Sequence, residues 1–402
     1  MKVRELTDGR IKRSAIKGIG TAVPSARMDQ EDTSARLTEA LSRAGEQHSA
    51  RWAKRIFKQC GVQTRYTCEP NLLEPAESCR FFPGKDSQGA APTTAERMSL
   101  YKEASVPLGV EAARAALQDS GLTPGDITHL ITVSCTGQFL PGLDASLVWE
   151  LGLSTNVMRI PLTFLGCAAG LKAVCVARQL VEGRPDAHAL IVCVELCTLH
   201  IQPSGGKEEL YGASFFGDGA SSCVVGEAEA ESRDCFLLGK EHTVLLPDCR
   251  DEMVWEVGDR GFDLYLSPSI PGLIGRVIPD EVERLIGAQA EEGGLPELWA
   301  IHPGGKGIVD NLQDVFQLSD EQTSASRSIL RHYGNMSSAT ILFVLAELRR
   351  QLRSHDALRQ RSGLALAFGP GITAELLEIA YVPASTQTNA AASADCREGS
   401  YA

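Results

Sequence analysis

The chain has 402 residues, of which 43% are hydrophobic and 22% charged, a balance typical of packed globular proteins rather than disordered chains. Its 39 Lys and Arg against 51 Asp and Glu give a net charge of −12, which excludes a general affinity for nucleic acid or anionic lipid because both need a positive field. No stretch approaches the roughly 18 uninterrupted apolar residues of a membrane span, and the first residues lack the apolar run of a secretory signal.

In chain order, helical periodicity predicts helices over 33–44 and 95–120, with a loop rich in Pro, Gly and Ser at 69–94. Further helices are predicted at 168–182 and 337–352, and buried strands at 129–133, 189–194, 221–225, 299–301 and 364–368. This alternation predicts an α/β fold with a mostly parallel or mixed sheet covered by helices on both faces. The Ala/Ser/Thr-rich tail from residue 383 is predicted to be disordered.

The order of these elements suggests a duplication. One strand ends at Cys135, and 32 residues later a Gly-Cys dipeptide opens a helix that precedes a buried strand. A second strand ends at His302, and 33 residues later a Gly-Asn dipeptide opens a helix that again precedes a buried strand. The pattern favours two related halves whose element ends converge, although any α/β chain can produce such spacing by coincidence.

The twelve cysteines are spread along the chain and form no Cys-x-x-Cys pair, so neither a zinc ribbon nor a thioredoxin-like motif is expected, and we predict no metal site. Several lie in apolar runs such as 191–194, where cysteine behaves as a small hydrophobic residue. This distribution of cysteines favours a reducing, cytoplasmic environment in which one or two thiols at most take part in chemistry.

Cys167 is the strongest candidate for such a thiol. It follows Gly166, which permits a sharp turn, and it precedes a run of small residues through which a substrate can approach. At the N-terminus of the predicted helix, free N–H groups and the helix dipole stabilise a thiolate, the nucleophilic form. The alternative is a buried structural cysteine.

His302 ends a predicted buried strand and is followed by Pro-Gly-Gly, so it lies where ligands usually bind in α/β sheets. A protonated imidazole would lower the pKa of a neighbouring thiol, and an imidazole N–H could bind a carbonyl oxygen. The alternative is a core histidine with its hydrogen bonds satisfied.

Asn335 occupies the N-cap position of the helix that follows, and capping alone would account for it. Capping does not account for Gly334 before it or for the small residues 337–339 after it. An amide N–H₂ directed into a dry site would instead be an oxyanion-hole donor.

Taken together, Gly-Cys at 166–167, Ile-His-Pro-Gly-Gly at 301–305 and Gly-Asn-Met-Ser-Ser-Ala at 334–339 resemble the catalytic triad of the type III polyketide synthases, the chalcone and stilbene synthase superfamily. Other segments match the same family, at 135–137, 141–142, 216–220, 326–327 and 368–373. The resemblance runs from about residue 50 to residue 382.

The resemblance implies a thiolase-like fold with duplicated halves and a five-layered αβαβα core. The N-terminal half, 1–240, would carry the nucleophilic Cys167, the C-terminal half, 241–382, would carry His302 and Asn335, and 383–402 would be the tail. By resemblance, Cys167 takes an acyl group from an acyl-CoA starter. His302 and Asn335 then stabilise the enolate that malonyl-CoA forms on losing CO₂, and this enolate attacks the Cys-bound acyl group. No cofactor is implied beyond the CoA thioesters.

The resemblance also assigns residues to substrate. Phe216 matches the family's gatekeeper aromatic, and Leu264 stands where plant enzymes have a second phenylalanine. Further pocket positions fall at Cys197, Leu199, His200 and the loop Gly369, Pro370 and Gly371. Leu140 matches a residue that enters the neighbouring subunit's cavity, which implies a homodimer, and Arg55 and Lys58 lie near positions that bind CoA phosphates. Leu264 and the residues at 197, 199 and 200 differ from those of plant enzymes. The resemblance therefore favours a bacterial-type member making a pyrone, resorcinol or phloroglucinol-type product.

Three alternatives remain at this point. A β-ketoacyl synthase III would use the same Cys-His-Asn set for one condensation with a carrier protein. A cysteine hydrolase would release free acid and would need a partner to orient His302. A non-catalytic acyl-CoA-binding protein would have no reason to keep all three polar side chains.

Overall fold

The computed structural model describes residues 13–82, 91–202, 206–229, 233–287, 294–354 and 359–384. The predicted tail from residue 383 lies almost wholly outside the described residues. The helices are α1 (Gln30–Arg43), α2 (Gln47–Gln59), α3 (Thr94–Ser120), α4 (Leu143–Leu151), α5 (Ala169–Val181), α6 (Lys207–Phe215), α7 (Ile270–Ile286), α8 (Lys306–Phe316), α9 (Asp320–Tyr333) and α10 (Thr340–Ser354). The strands are β1 (Ser14–Ala22), β2 (Ala26–Asp29), β3 (Thr64–Thr67), β4 (His129–Ser134), β5 (Met158–Thr163), β6 (His188–Leu196), β7 (Asp218–Glu227), β8 (Cys235–Leu245), β9 (Met253–Gly258), β10 (Gly261–Leu266), β11 (Leu298–Ile301), β12 (Arg361–Gly369) and β13 (Thr373–Val382).

The main sheet has the strand order β11-β12-β13-β8-β1-β7-β6-β4-β5, and β1 meets β8 through two paired positions. Of the strands that each half contributes to this sheet, the first lies at the junction, and the last, the penultimate and the second follow outward: β1, β7, β6 and β4 on one side, and β8, β13, β12 and β11 on the other. The same order on both sides is the duplication that the sequence spacing suggested. Because β8 begins at Cys235, the predicted division at 240/241 falls inside a strand, and we place the division before β8 instead.

The helices form three layers around the strands. Alternate residues of each strand face opposite sides, so each strand packs against central helices on one face and outer helices on the other. In β4, Ile131 packs in the cluster that contains α5 and α10, whereas Leu130 packs against α3 and α4. In β12, Ala365 faces the same central helices and Leu364 faces α7 and α8. Central helices between two sets of strands, with further helices outside each set, make the thiolase-like αβαβα arrangement.

The two central helices begin in equivalent ways. A 3₁₀ turn over Gly166–Ala168 precedes α5, and a 3₁₀ turn over Ser337–Ala339 precedes α10. The sequence predicted 337–339 as part of the helix itself, and it began the other helix at Ala168, within the first turn. The two turns pack against each other, so the residues at these helix N-termini, one from each half, meet at one place.

Candidate active site

Cys167 lies in a turn that only glycine allows. Gly166 has φ +65°, and a Cβ there would lie 2.2 Å from Cδ of Pro370. Phe164, two residues earlier, has φ +57°, which is uncommon for a residue with a side chain. The turn sets the thiol at the N-terminal end of α5, where the helix dipole favours the thiolate.

Asn335 faces Cys167 from the other half. Its Oδ1 accepts from the N–H of Ser337 at 2.8 Å and from the hydroxyl of Thr340 at 3.4 Å. This leaves Nδ2 to donate to Gly304 O at 3.1 Å, with Cys167 Sγ 3.9 Å away. The oxygen therefore binds the turn before α10 as a cap would. The role of the N–H₂ group as an oxyanion donor stays a prediction.

His302 follows β11, and its backbone N–H donates to Leu366 O at 2.8 Å. Its ring is fully buried, and neither ring nitrogen has a hydrogen-bond partner among the described residues. The ring lines the same cavity as Cys167 and Asn335. Buried polar atoms are rarely left unpaired, so the imidazole nitrogens are available to a substrate or to the thiol.

Burial opposes charge on the Cys167 thiol and on the His302 imidazole, each considered alone. It raises the pKa of the Cys167 thiol to about 11 and lowers the pKa of His302 to about 3. Neither group therefore ionises by itself near neutral pH. A thiolate at Cys167 would therefore need a nearby acceptor for its proton, and His302 lines the same cavity.

A buried polar network supports the turn on which Asn335 depends. The Ser337 hydroxyl lies 3.1 Å from Cys135 Sγ and 3.5 Å from Cys167 Sγ. Glu195 is fully buried and accepts from the Thr136 hydroxyl at 2.7 Å and from the backbone N–H of Cys135. Burial raises the pKa of Glu195. The sequence matched 135–137 to the family without assigning this network.

A cavity of about 440 Å³ opens from the three polar side chains. One wall is the β9–β10 hairpin, in which Met253 pairs with Leu266 and Trp255 pairs with Leu264. Ile56 and Gln59 of α2 and the next residue, Cys60, also line it, together with the basic residues Lys207 and Lys306.

A second cavity of about 190 Å³ adjoins the first. Phe216, Trp255 and Leu264 line both cavities. These three apolar side chains therefore form the partition between the two spaces. The hairpin runs along both of them, because Met253 and Leu266 line the first cavity, and Phe262 the second.

The predicted pocket residues fall into several groups. Phe216 and Leu264 line both cavities, Pro370 lines the first, and Cys197 and His200 line the second. Gly369 and Gly371 are not among the described lining residues of either cavity. Leu140 is 93% exposed on the surface.

His200 is held rigidly in the wall of the second cavity. Its Nδ1 accepts from the N–H of Phe262 at 3.1 Å, so its Nε2 donates to Thr136 O at 2.6 Å. The His200 and Phe262 rings stack with centroids 4.0 Å apart. Burial lowers the pKa of His200 to about 3, so the ring is neutral.

Leu199 lies outside both cavities, in the core against α3. A strand would alternate its side chains and place Leu199 on the side of Cys197, but Cys197–His200 is a 3₁₀ helix. With three residues per turn, Leu199 points away from its neighbour two positions earlier.

Arg55 and Lys58 are exposed on α2 and are not among the described residues that line the first cavity. Arg55 lies against the Trp52 ring, 5.8 Å from its centroid, and Lys207 Nζ lies 4.3 Å from the same centroid. Arg55 is therefore linked through Trp52 to Lys207, which lines the cavity.

Sequence reasoning missed the hairpin face and the two lysines at the mouth. The alternation of Met253, Trp255 and Val257 with other residues was a period-two signal for the first strand of the hairpin. No local signal marked Lys207 or Lys306.

Comparison with known proteins decides the family. The model of the N-terminal domain of chalcone and stilbene synthases matches residues 5–229, and that of the C-terminal domain matches residues 239–383. The chain belongs to the chalcone and stilbene synthase family. It is a type III polyketide synthase, an acyltransferase that catalyses decarboxylative condensation, and this sets aside the β-ketoacyl synthase III alternative.

Individual relatives agree with this family. The chain is 29% identical over 365 residues to the alpha-pyrone synthesis polyketide synthase-like protein Pks18 of Mycobacterium tuberculosis, covering 90% of each chain. It is 32% identical over 373 residues to type III polyketide synthase C of Arabidopsis thaliana, covering 90% of this chain and 94% of that one. The crystal structure of the type III polyketide synthase domain of Steely1 from Dictyostelium matches with a TM-score of 0.82 and 28% identity, covering 92% of this chain and 99% of that one.

Within the described ranges, no helix is long and apolar enough to cross a membrane. The same residues contain no cluster of three or more His, Cys, Asp or Glu side chains that could hold a metal ion.

Proposed function

We propose that Cys167 is the nucleophile that receives the acyl group from a CoA starter. Its sulfur attacks the thioester carbonyl while His302 takes the thiol proton. CoA leaves as a thiolate, which that proton can neutralise. The contact that carries this proposal is Asn335 Nδ2 lying 3.9 Å from Cys167 Sγ, because it joins groups from both halves around one cavity.

The same donors can serve the extension step. When malonyl-CoA loses CO₂, the electron pair of the breaking C–C bond moves into an enolate whose charge collects on the thioester oxygen. Asn335 Nδ2–H and an N–H of neutral His302 would donate to that oxygen. The enolate carbon then attacks the acyl carbonyl on Cys167, a C–C bond forms, and the cysteine sulfur leaves. No separate base is needed, since loss of CO₂ creates the nucleophile.

The surrounding wall favours loss of the carboxylate. Phe215 and Phe216 line the cavity near the polar groups, and an apolar wall raises the free energy of a charged carboxylate relative to neutral CO₂. Phe216 is in this respect the gatekeeper that the resemblance implied.

CoA phosphates need positive charge at the mouth of an acidic protein. We propose that Lys207 and Lys306 join Arg55 and Lys58 in this role, because the two lysines line the cavity and Arg55 and Lys207 share the Trp52 ring. A cavity of about 440 Å³ lies toward the lower end of the usual range for ligand sites. This volume favours a compact cyclised product such as a pyrone, resorcinol or phloroglucinol.

A homodimer is the proposed assembly. Large apolar side chains are exposed around the edge strand β5: Leu140 at 93%, Trp149 at 66% and Met158 at 52%. Exposed apolar patches of this kind usually mark protein interfaces. A second copy of the chain would cover them, and Leu140 would enter the partner's cavity as the family resemblance implied.

We propose a reducing cytoplasmic setting and no cofactor beyond the CoA thioesters. None of the eleven described cysteines forms a disulfide, and unpaired thiols persist where the redox potential is reducing. The condensation needs no external oxidant or reductant, because the electron pair of the broken C–C bond stays on the carbon that becomes the nucleophile.

Product analysis tests the function directly. The protein is incubated with carboxyl-labelled malonyl-CoA and a panel of acyl-CoA starters, and released CO₂ and products are measured by mass spectrometry. We expect CO₂ together with products that contain two or more malonyl-derived units. Free acid without CO₂ would favour a hydrolase, and one condensation only with carrier-bound malonate would favour a β-ketoacyl synthase III.

A further inference from the structure

Two backbone segments run parallel where the halves meet at the site, one carrying Phe216 and the other Asn335, and these two residues form a β-bridge. The N–H of Asn335 donates to Phe215 O at 2.8 Å, and the N–H of Gly217 donates to Asn335 O at 3.0 Å. These two bonds fix the backbone of Asn335 relative to that of Phe216. Any residue that holds this bridge therefore influences where Asn335 stands.

Arg65, on β3, binds the segment of this bridge that carries Phe216. Its side chain is fully buried, and Nη1 donates to Ala213 O at 2.8 Å and to Phe216 O at 2.7 Å. Both carbonyls lie at the C-terminal end of α6, where backbone oxygens lack helical partners and a cation is favourable. Nε and Nη2 have no partner among the described residues, so the guanidinium is committed to these two oxygens and not to a carboxylate.

The stem of Arg65 also fills the space between the two segments. A Cβ at Gly334 would lie 3.0 Å from Arg65 Cγ, and a Cβ at Gly217 would lie 3.4 Å from Arg65 Cβ. The backbone of Gly334 has φ +71°, a conformation that glycine adopts without strain. Each segment of the bridge thus has a glycine next to the bridge residue, and both glycines allow the arginine to approach closely.

The strand that carries Arg65 is tied to the second segment as well. The Thr64 hydroxyl donates to His332 O at 2.8 Å, and the N–H of Gln63 donates to Arg331 O at 2.7 Å. Strand β3 therefore binds the backbone leading to Asn335, while Arg65 binds the backbone of Phe216.

We propose that Arg65 is a positioning residue for the decarboxylation step, fixing the Asn335 carboxamide relative to the Phe216 wall. The inference rests on the proposed function of Asn335. Arg65 lines neither cavity, and Cys167 lies on the turn at 166–168, which Arg65 does not hydrogen-bond. Loss of its two bonds should therefore weaken decarboxylation more than acyl transfer to Cys167.

The test measures both steps on Arg65→Lys and Arg65→Met. Acylation of Cys167 by a starter CoA is followed by rapid quench and intact-protein mass, and decarboxylation by CO₂ release from malonyl-CoA. The matched control is Arg97→Lys, because Arg97 is also buried and also donates to backbone carbonyls, those of Pro92 and Ile201. Thermal melting reports the stability of every variant.

The proposal expects CO₂ release in Arg65→Met to fall about tenfold or more relative to acylation, since misplacement by a fraction of an ångström weakens a catalytic contact sharply. Arg65→Lys, which retains the charge and one donor nitrogen, should recover part of the loss. Arg97→Lys should lower both rates by the same factor. Equal losses of both steps in the Arg65 variants, or failure of both to fold, would mean that Arg65 is structural and would overturn the proposal. Absence of CO₂ release in the unmodified protein would instead refute the proposed function.

Discussion

Replacing Trp255 by alanine should lengthen the polyketide that this enzyme releases. Trp255 pairs with Leu264 across the β9–β10 hairpin, and both side chains stand with Phe216 between the two cavities. The Trp255 ring lies 6.0 Å from that of Phe216 and 5.9 Å from that of His200, measured between centroids. Removing it takes the largest side chain out of the partition.

The structure sets the size of the effect. Joining the cavities of about 440 Å³ and 190 Å³ adds about two fifths to the volume open to the growing chain. If product length follows the enclosed volume, a product of three or four ketide units should gain roughly one or two further units. A longer acyl starter should be accepted for the same reason.

The assay compares products from one starter and malonyl-CoA by liquid chromatography and mass spectrometry. Trp255→Phe is expected to keep the product of the unmodified enzyme, because a phenyl ring still fills most of the partition. Met253→Ala is the matched control, since Met253 lies on the same hairpin face and lines the first cavity without touching the second.

Equal lengthening of the product by Met253→Ala and Trp255→Ala would contradict a role for Trp255 as a partition, because enlargement of the first cavity alone would then explain the change. An unmodified product pattern from folded Trp255→Ala would also contradict it. Thermal melting of each variant separates these results from a loss of fold.

Three further predictions concern the polar groups and the surface. Asn335→Ala should lower CO₂ release by on the order of a hundredfold, as for loss of an oxyanion donor, while Cys167 is still acylated; equal CO₂ release in both proteins would contradict the donor role. His302→Gln should shift the pH profile of iodoacetamide reaction with Cys167 upward, because burial raises the pKa of this thiol and the variant lacks the imidazole that would take its proton. Coincident profiles would argue against proton transfer from Cys167 to His302. Leu140→Asp should weaken the proposed homodimer, because it puts a charge where an apolar side chain would enter the partner's cavity. Sedimentation velocity measures the association state, and an unchanged state would show that Leu140 lies outside the interface.

The polar centre could be predicted from sequence because each member lies at a junction between elements with a distinct local signature. Cys167 and Asn335 each follow a glycine and precede small residues, and His302 ends an apolar strand before Pro-Gly-Gly. The layers could be predicted for a similar reason, since strands buried on both faces give continuous apolar runs.

The cavity walls could not be predicted in the same way. Leu199 was expected in the pocket, but the 3₁₀ helix at Cys197–His200 turns it into the α3 core. Trp255 reaches the site through the pairing of a hairpin, whose register depends on the fold around it. Arg65 acts on residues about 150 and 270 positions away in the chain, and no local pattern reports such a contact.

The central claim is that Cys167 accepts the acyl group while His302 and Asn335 serve decarboxylation. Intact-protein mass spectrometry of the unmodified protein and of Cys167→Ala, each mixed with an acyl-CoA starter, tests it most directly. The account predicts one added acyl group, mapped to Cys167, in the unmodified protein and none in the variant, which should still release some CO₂ from malonyl-CoA through His302 and Asn335. Full acylation of the Cys167→Ala protein would contradict it.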